Sequence, residues 1–357
     1  MSDYAPVFEL TRGMTVESVH YGAIAVVDSH GKLVAWHGNP DAVTYLRSTA
    51  KPFQVLPFIE NGGQQYYQLT AREIALMCAS HAGTDEHVAV ARSIQEKTGV
   101  SESELLCGVH PLSHQPTIEA MRLRDEPLTP NRHNCSGKHS GMLAYTRMLA
   151  QRAVLAIDGK PYIDPDHPIQ IQILDALAEM CCLPASQIGV GIDGCSAPNF
   201  ALPLRHAAWG YAHLCDSECD EATPPARVAA CHTICGAMTA HPEMVSGEGH
   251  FDTCLMEATR GRLVSKGGAE GYQGIGLMPG VLDPGSPAVG IALKISDGDL
   301  RSKVRSAVAL EVLLQLGLLT AEEIQALASF GPCFPVYNWR KIPVGEARPV
   351  FRLNLAG

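Results

Sequence analysis

Ser48 and Lys51 stand three residues apart in the stretch Leu46-Arg47-Ser48-Thr49-Ala50-Lys51-Pro52-Phe53-Gln54. On a helix that spacing puts both side chains on one face, within reach of each other. A serine hydroxyl is a poor nucleophile near neutral pH and needs a base beside it. A lysine amine becomes that base when burial or a nearby cation lowers its pKa. The flanks offer both, since Arg47 is adjacent and an apolar run, Val55-Leu56-Pro57-Phe58, follows. A serine and a lysine at this spacing also occur by chance in many chains, so other residues have to support the chemistry.

Three further segments carry more polar residues than packing needs. Cys78-Ala79-Ser80-His81-Ala82-Gly83 reads equally as a helix C-cap and as part of a site. Asn134-Cys135-Ser136-Gly137-Lys138-His139 is not a phosphate loop, because Arg132 stands where the first glycine would be and His139 replaces the Ser/Thr. As a glycine turn into a helix it suits an oxyanion or a carboxylate, and Cys135 and Lys138 can face one point. Asp193-Gly194-Cys195 ends a short strand and is either a tight turn or an anchor for the ammonium of an amino acid. Lys266-Gly267-Gly268 ends another strand. A Lys-x-Gly strand beside a Ser-x-x-Lys helix is a layout shared with serine β-lactamases, and its glycines let a substrate backbone approach closely. The pairs Cys215/Cys219 and Cys231/Cys235 have zinc-like spacing but fall in alanine-rich helical sequence, so they read as buried or half-buried thiols.

The elements that must position these residues follow from the pattern. Val16 to Gly38 reads as a hairpin with its turn at Ser29-His30-Gly31-Lys32. A helix is expected from the Ser48 stretch to Ile59, stopped by Asn61-Gly62-Gly63. Thr70-Ala71-Arg72-Glu73 has the form of a capping box. Helices are expected over Asp85 to Lys97, Pro168 to Cys181, Leu204 to Leu214, Ala226 to Thr239, Leu300 to Leu316 and Ala321 to Phe330. Strands are expected at Leu263 to Lys266, Gly274 to Met278, Ala288 to Ile295 and in the tail Pro349 to Leu353. Strands thus gather at the two ends of the chain and helices fill the middle. The expected fold is α+β, layered α/β/α: one domain over 1–357, with an antiparallel sheet from about 1–45 and 262–357 and a largely helical part from about 46–261. A cleft between the two parts is the default place for a site.

The 357 residues carry 27 Lys+Arg against 37 Asp+Glu, a net charge of −10 that disfavours nucleic acid and anionic membrane as partners. At 46% hydrophobic and 18% charged the chain has the balance of a folded globule. Neither a signal peptide nor a membrane span is visible, so the expected compartment is the cytoplasm and the twelve cysteines are expected as thiols or metal ligands.

Taken together and in this order, Arg47-Ser48-x-x-Lys51-Pro52, Cys78-Ala79-Ser80-His81-x-Gly83, Asn134-Cys135-Ser136-Gly137-Lys138-His139, Gly191-x-Asp193-Gly194-Cys195 and Lys266-Gly267-Gly268-Ala269-Glu270-Gly271 resemble the L-asparaginase II family, the Rhizobium etli-type or class 3 asparaginases. The resemblance runs from about Val16 to the C-terminus. It implies a serine β-lactamase/glutaminase-like fold and hydrolysis of L-asparagine to L-aspartate and ammonia. It implies two Ser–Lys pairs, Ser48 with Lys51 and Ser80 with Lys266, and a zinc-type site at Cys135, Lys138 and Cys195. A homodimer is expected. In this reading Arg47, His139, Asp193 and Gly267 contact the substrate. A glutaminase, a broader amidase, or an amino-acid-binding relative with little turnover are the alternatives.

Overall fold

The structure is a computed structural model and describes residues 3–152, 159–299 and 303–356. In chain order its strands are β1 (Ala5–Arg12), β2 (Thr15–Asp28), β3 (Leu33–His37), β4 (Val43–Tyr45), β5 (Gly189–Ile192), β6 (Pro198–Pro203), β7 (Leu263–Gly268), β8 (Tyr272–Leu277), β9 (Val289–Ile295), β10 (Phe334–Tyr337), β11 (Pro343–Pro349) and β12 (Asn354–Leu355). Its α-helices are α1 (Lys51–Glu60), α2 (Gly63–Tyr67), α3 (Ala71–Met77), α4 (Asp85–Thr98), α5 (Gln115–Leu123), α6 (Ser136–Gln151), α7 (Pro168–Met180), α8 (Leu204–Cys215), α9 (Pro225–Ala240), α10 (Pro242–Val245), α11 (Phe251–Thr259), α12 (Val304–Gln315) and α13 (Ala321–Ala326). Helices and an antiparallel sheet coexist in separate stretches of chain, which is the α+β class expected from the pattern.

The chain divides into two compact units. The first comprises 1–49, 201–219 and 254–357, and the second 50–200 and 220–253. The part expected to be helical therefore gives 46–49, 201–219 and 254–261 to the unit that holds the sheet. The reason is α8, whose buried face of Leu204, Ala208, Tyr211 and Ala212 packs on β2, β8 and β9.

The sheet of the first unit runs β10-β11-β1-β2-β9-β8-β7. Both chain ends contribute to it, as the clustering of strands required. Long β2 serves two neighbours on one side: its first half pairs with β1, and Ile24 to Val27 pairs with β3. Along its other side β9 pairs in register, Gly22 opposite Ile295 and Asp28 opposite Val289. β9, apolar except for Lys294, is buried along its whole length, as befits a central strand. β7 is an edge strand, joined to β8 with Gly268 opposite Tyr272.

Strands β1, β10 and β11 are absent from the sequence expectation, because Pro6, Pro335, Pro343 and Pro349 blur the alternation. The expected tail strand at 349–353 is not formed. There the chain buries Phe351 and only then pairs β12 with β3. The helix expected over Leu300 to Leu316 runs from Val304 to Gln315, and 300–302 lie outside the described residues.

In the second unit α1 packs against α6, α7 and α9, while α3 packs against α4, α6 and α9. Every residue of α1 from Lys51 to Ile59 is buried. The capping box at Thr70 and Glu73 is made in full and starts α3. No described helix is long and apolar enough to cross a membrane.

Candidate active site

Arg47–Ala50 is a 3-10 turn, and the α-helix begins only at Lys51. This differs from the helix expected through Ser48. Pro52 suits this start, since proline is favoured in the first helical turn, where its missing N–H costs no helical bond. Ser48 belongs to the first unit and Lys51 to the second.

Lys51 is 1% exposed, and its amine is spoken for. Its Nζ donates to the carbonyls of Ala79 and of Asn134, the latter at 3.4 Å, and lies 2.9 Å from Ser80 Oγ. Two of the recognised segments thus meet at one lysine. The Ser80 backbone is fixed by its N–H to Val245 O at 2.9 Å. A buried ammonium with three oxygen partners is satisfied. The neutral amine would keep two N–H bonds to the carbonyls and turn its lone pair to the Ser80 hydroxyl.

Histidines shape this region, and the sequence reading assigned none of them except His139. His81 accepts from Gly83 N–H through Nδ1 at 3.1 Å, so its proton sits on Nε2 and points at Ser136 Oγ, 2.9 Å away. His81 therefore donates to Ser136 and is no base for it. Burial, with His87 beside it, holds His81 well below the usual histidine range. His110 Nε2 accepts from Asn134 N–H and His133 Nδ1 from Cys135 N–H, both at 3.0 Å. Together they set the loop whose Asn134 carbonyl receives Lys51. Buried Arg132 braces the same loop, donating to Gly83 O at 2.8 Å, to Asp85 Oδ1 at 2.6 Å and to Glu126 Oε1 at 2.9 Å. Isolated histidines and arginines at these spacings carry no sequence signal, because many of their partners are backbone groups, which any residue type supplies.

Cys135, Lys138 and Cys195 converge in the second unit. Cys135 precedes α6, Lys138 lies in its first turn, and Cys195 sits in the β5–β6 turn, where Asp193 Oδ1 accepts from Gly194 N–H at 2.8 Å. α6 can come close because Gly137 has no side chain: a Cβ there would lie 2.3 Å from Leu76 O. Lys138 Nζ is 3.0 Å from Cys195 Sγ. Burial opposes the charge of Lys138, but the Cys195 and Cys135 sulfurs outweigh it and raise its pKa. The hydrogen bond from Cys195, aided by the Lys51 and Lys138 charges, holds the Cys135 thiol well below its usual range.

Two thiols are donors that suit zinc, and the Lys138 amine would be an unusual third, so it is the thiols that fit the ion implied by the family resemblance. Lysine would have to lose its proton to ligate. Among the described residues no three His, Cys, Asp or Glu side chains form a metal-holding group; the implied set has only two such side chains. His139 is fully buried, its Nδ1 2.7 Å from Tyr162 OH and its ring beside Cys195. Burial pushes it down to about 4. Of the cysteine pairs, Cys215, Cys231 and Cys235 are buried and Cys219 is half-buried.

In the first unit Lys266 is 1% exposed on β7, and its Nζ donates to Gly267 O at 2.7 Å. The turn bearing Arg47 and Ser48 lies against the end of this strand. A Cβ on Gly268 would be 2.9 Å from Leu46 O and 3.2 Å from the Thr49 side chain. Tyr211 OH, from α8, donates to Thr49 O at 2.8 Å and fixes the turn from the other side. Arg47 has φ +52°, a left-handed conformation for a residue with a side chain. Strain of this kind is typical of residues that present a functional neighbour.

No curated protein sequence matches the chain significantly. Among solved structures, a Bacillus subtilis glutaminase in covalent complex with 5-oxo-L-norleucine shares 12% identity, with 83% of this chain and 88% of that one covered and a TM-score of 0.37. A probable glutaminase from Bacillus subtilis complexed with 6-diazo-5-oxo-L-norleucine shares 11%, covering 83% and 84%, also at 0.37. Likeness at that TM-score carries no argument about the chemistry. The family comparison is of another order: the model for L-asparaginase II matches residues 8–349, nearly the whole sequence. The chain belongs to the L-asparaginase II family.

Proposed function

We propose that the protein is an amidohydrolase that converts L-asparagine to L-aspartate and ammonia. Family membership supports amide hydrolysis. The observation that carries the chemistry is the buried Lys51 amine 2.9 Å from Ser80 Oγ, between two carbonyls that orient it. A buried lysine ordered against a serine hydroxyl is what a Ser–Lys amidase needs.

In this reading Ser48 Oγ attacks the side-chain carboxamide carbon while its proton passes to Lys51, with Ser80, whose hydroxyl faces the Lys51 amine, as the relay. The tetrahedral oxyanion is met by backbone N–H groups, each such donor typically worth about 3 kcal/mol. Lys51 returns the proton to the amide nitrogen, with Ser80 and Lys266 as proton relays, and ammonia leaves. Water then attacks the Ser48 ester and releases L-aspartate. Arg47 takes the substrate α-carboxylate and Asp193 its ammonium, with His139 and Gly267 completing the contacts. Zinc at Cys135, Lys138 and Cys195, when bound, would order this region and polarise nearby groups. The working unit is a homodimer in the cytoplasm.

The test is ammonia release by purified protein from L-asparagine and, separately, from L-glutamine, with Ser48→Ala as the control. Release from asparagine that disappears in the variant is expected. Preference for glutamine would make the protein a glutaminase, and release from neither amide would reject the reading.

A further inference from the structure

Glu270 is an exposed carboxylate in the β7–β8 turn, and every contact that fixes it lies within the first unit. Its Oε1 is 3.6 Å from Arg47 Nη1. Glu270 itself is left-handed at φ +58°, and Gly271 follows at φ +68°. The turn is clamped by Lys294, a lysine 8% exposed on central strand β9. Lys294 Nζ donates to Glu270 O and to Ile295 O, each at 2.5 Å. Ile295 N–H returns a bond to Gly271 O at 2.9 Å. Gly298 faces the carboxylate directly: a Cβ on it would lie 2.7 Å from Glu270 Oε2.

A buried lysine is costly unless its donors are satisfied. Here both carbonyl acceptors belong to the turn that carries Glu270 or to the strand end beside it. The effect is to hold one exposed carboxylate at one place. That place faces Arg47, whose own left-handed backbone immediately precedes Ser48.

We propose that Glu270 is a positioning residue for Arg47, and that Lys294 acts through it. This rests on the reading of Arg47 as the anchor of the substrate α-carboxylate. A guanidinium has five N–H donors, so one contact with Glu270 and a two-pronged contact with a carboxylate are compatible. Arginine has a long, mobile side chain, and fixing it before substrate arrives saves entropy on binding. The substrate class that benefits carries a free α-carboxylate. An amide without one gains nothing from Glu270.

The experiment compares wild type, Glu270→Gln, Arg47→Met and the double variant, reading KM and kcat for L-asparagine and the affinity for L-aspartate by calorimetry. Glu270→Gln should raise KM and weaken L-aspartate binding by about five- to tenfold, with kcat within about twofold. In the double variant Glu270→Gln should add nothing to Arg47→Met, because the coupling runs through the guanidinium. Lys294→Met should shift KM in the same direction. Glu270→Asp, which keeps the charge, should recover part of the loss. An unchanged or lowered KM in a folded Glu270→Gln protein, or additive effects in the double variant, overturns the proposal while the hydrolase reading stands. A wild-type protein that neither hydrolyses L-asparagine nor binds L-aspartate overturns both.

Discussion

Lys51 Nζ lies 2.9 Å from the hydroxyl of Ser80, a residue 29 positions further along the chain. Ser80 follows the short helix α3, which packs against α9 and α10. The serine facing the Lys51 amine in the second unit is therefore Ser80. If Lys51 is the base of the proposed reaction, this contact is part of its machinery. Lys51→Met preserves most of the side-chain volume and should lower kcat/KM by about a thousandfold. Ser80→Ala should cost about a hundredfold. Steady-state ammonia assays, with circular dichroism to establish folding, check both. Near-wild-type turnover in folded Lys51→Met protein sinks the assignment of the base.

Stability should fall in mild acid through His87. Burial pushes its pKa from 6.5 down to about 4. The folded state then excludes a proton that the unfolded chain accepts. Its stability contribution is intact above pH 6.5, declines between 6.5 and about 4, and is level below. The loss is about 3 kcal/mol across that window. His87→Gln keeps a side chain that can close the box with Thr84 and removes the titration. Urea melts at pH 7 and pH 4.5 should show a smaller drop for the variant. An equal drop in both proteins assigns the acid sensitivity elsewhere.

Gly137→Ala should destabilise the protein even though alanine is the better helix former. The helix gain is about 1 kcal/mol. Against it, the new Cβ would sit 2.3 Å from Leu76 O, and relieving such overpacking costs about 1–3 kcal/mol. The net sign is unfavourable because backbone, not a mobile side chain, is in the way. Guanidinium unfolding checks this, and a variant as stable as wild type would mean that α6 has room to move.

Zinc should bind to Cys135, Lys138 and Cys195. Metal analysis after reconstitution should give about one zinc per chain, reduced in Cys135→Ser. Protons compete with the ion for the thiols and for Lys138, whose pKa is raised beside the two sulfurs. Affinity should therefore fall as pH is lowered. A zinc content indifferent to both Cys135→Ser and pH would refute the site.

Much of this was legible in the residues alone. The gathering of strands at both chain ends, the capping box at Thr70, the hairpin after Val16 and the helix from Pro168 all depend on local spacing and turn chemistry, and local rules survive folding. The segments singled out stood out because residues such as Lys138 and Asp193 are poor choices for packing. Which segments meet was decided by the tertiary structure. Ser80 reaches Lys51 because α1 and α3 pack in one helical unit, and Lys138 meets Cys195 from a turn 57 residues further along the chain. The helix start at Lys51, the proline-blurred strands β1, β10 and β11, and the allotment of α8 to the sheet also come from packing. So do the histidine and Arg132 contacts that hold the Asn134 loop. His110 meets the Asn134 N–H and Arg132 the Gly83 carbonyl across long stretches of chain, and a backbone group leaves no mark on the residue type that bears it.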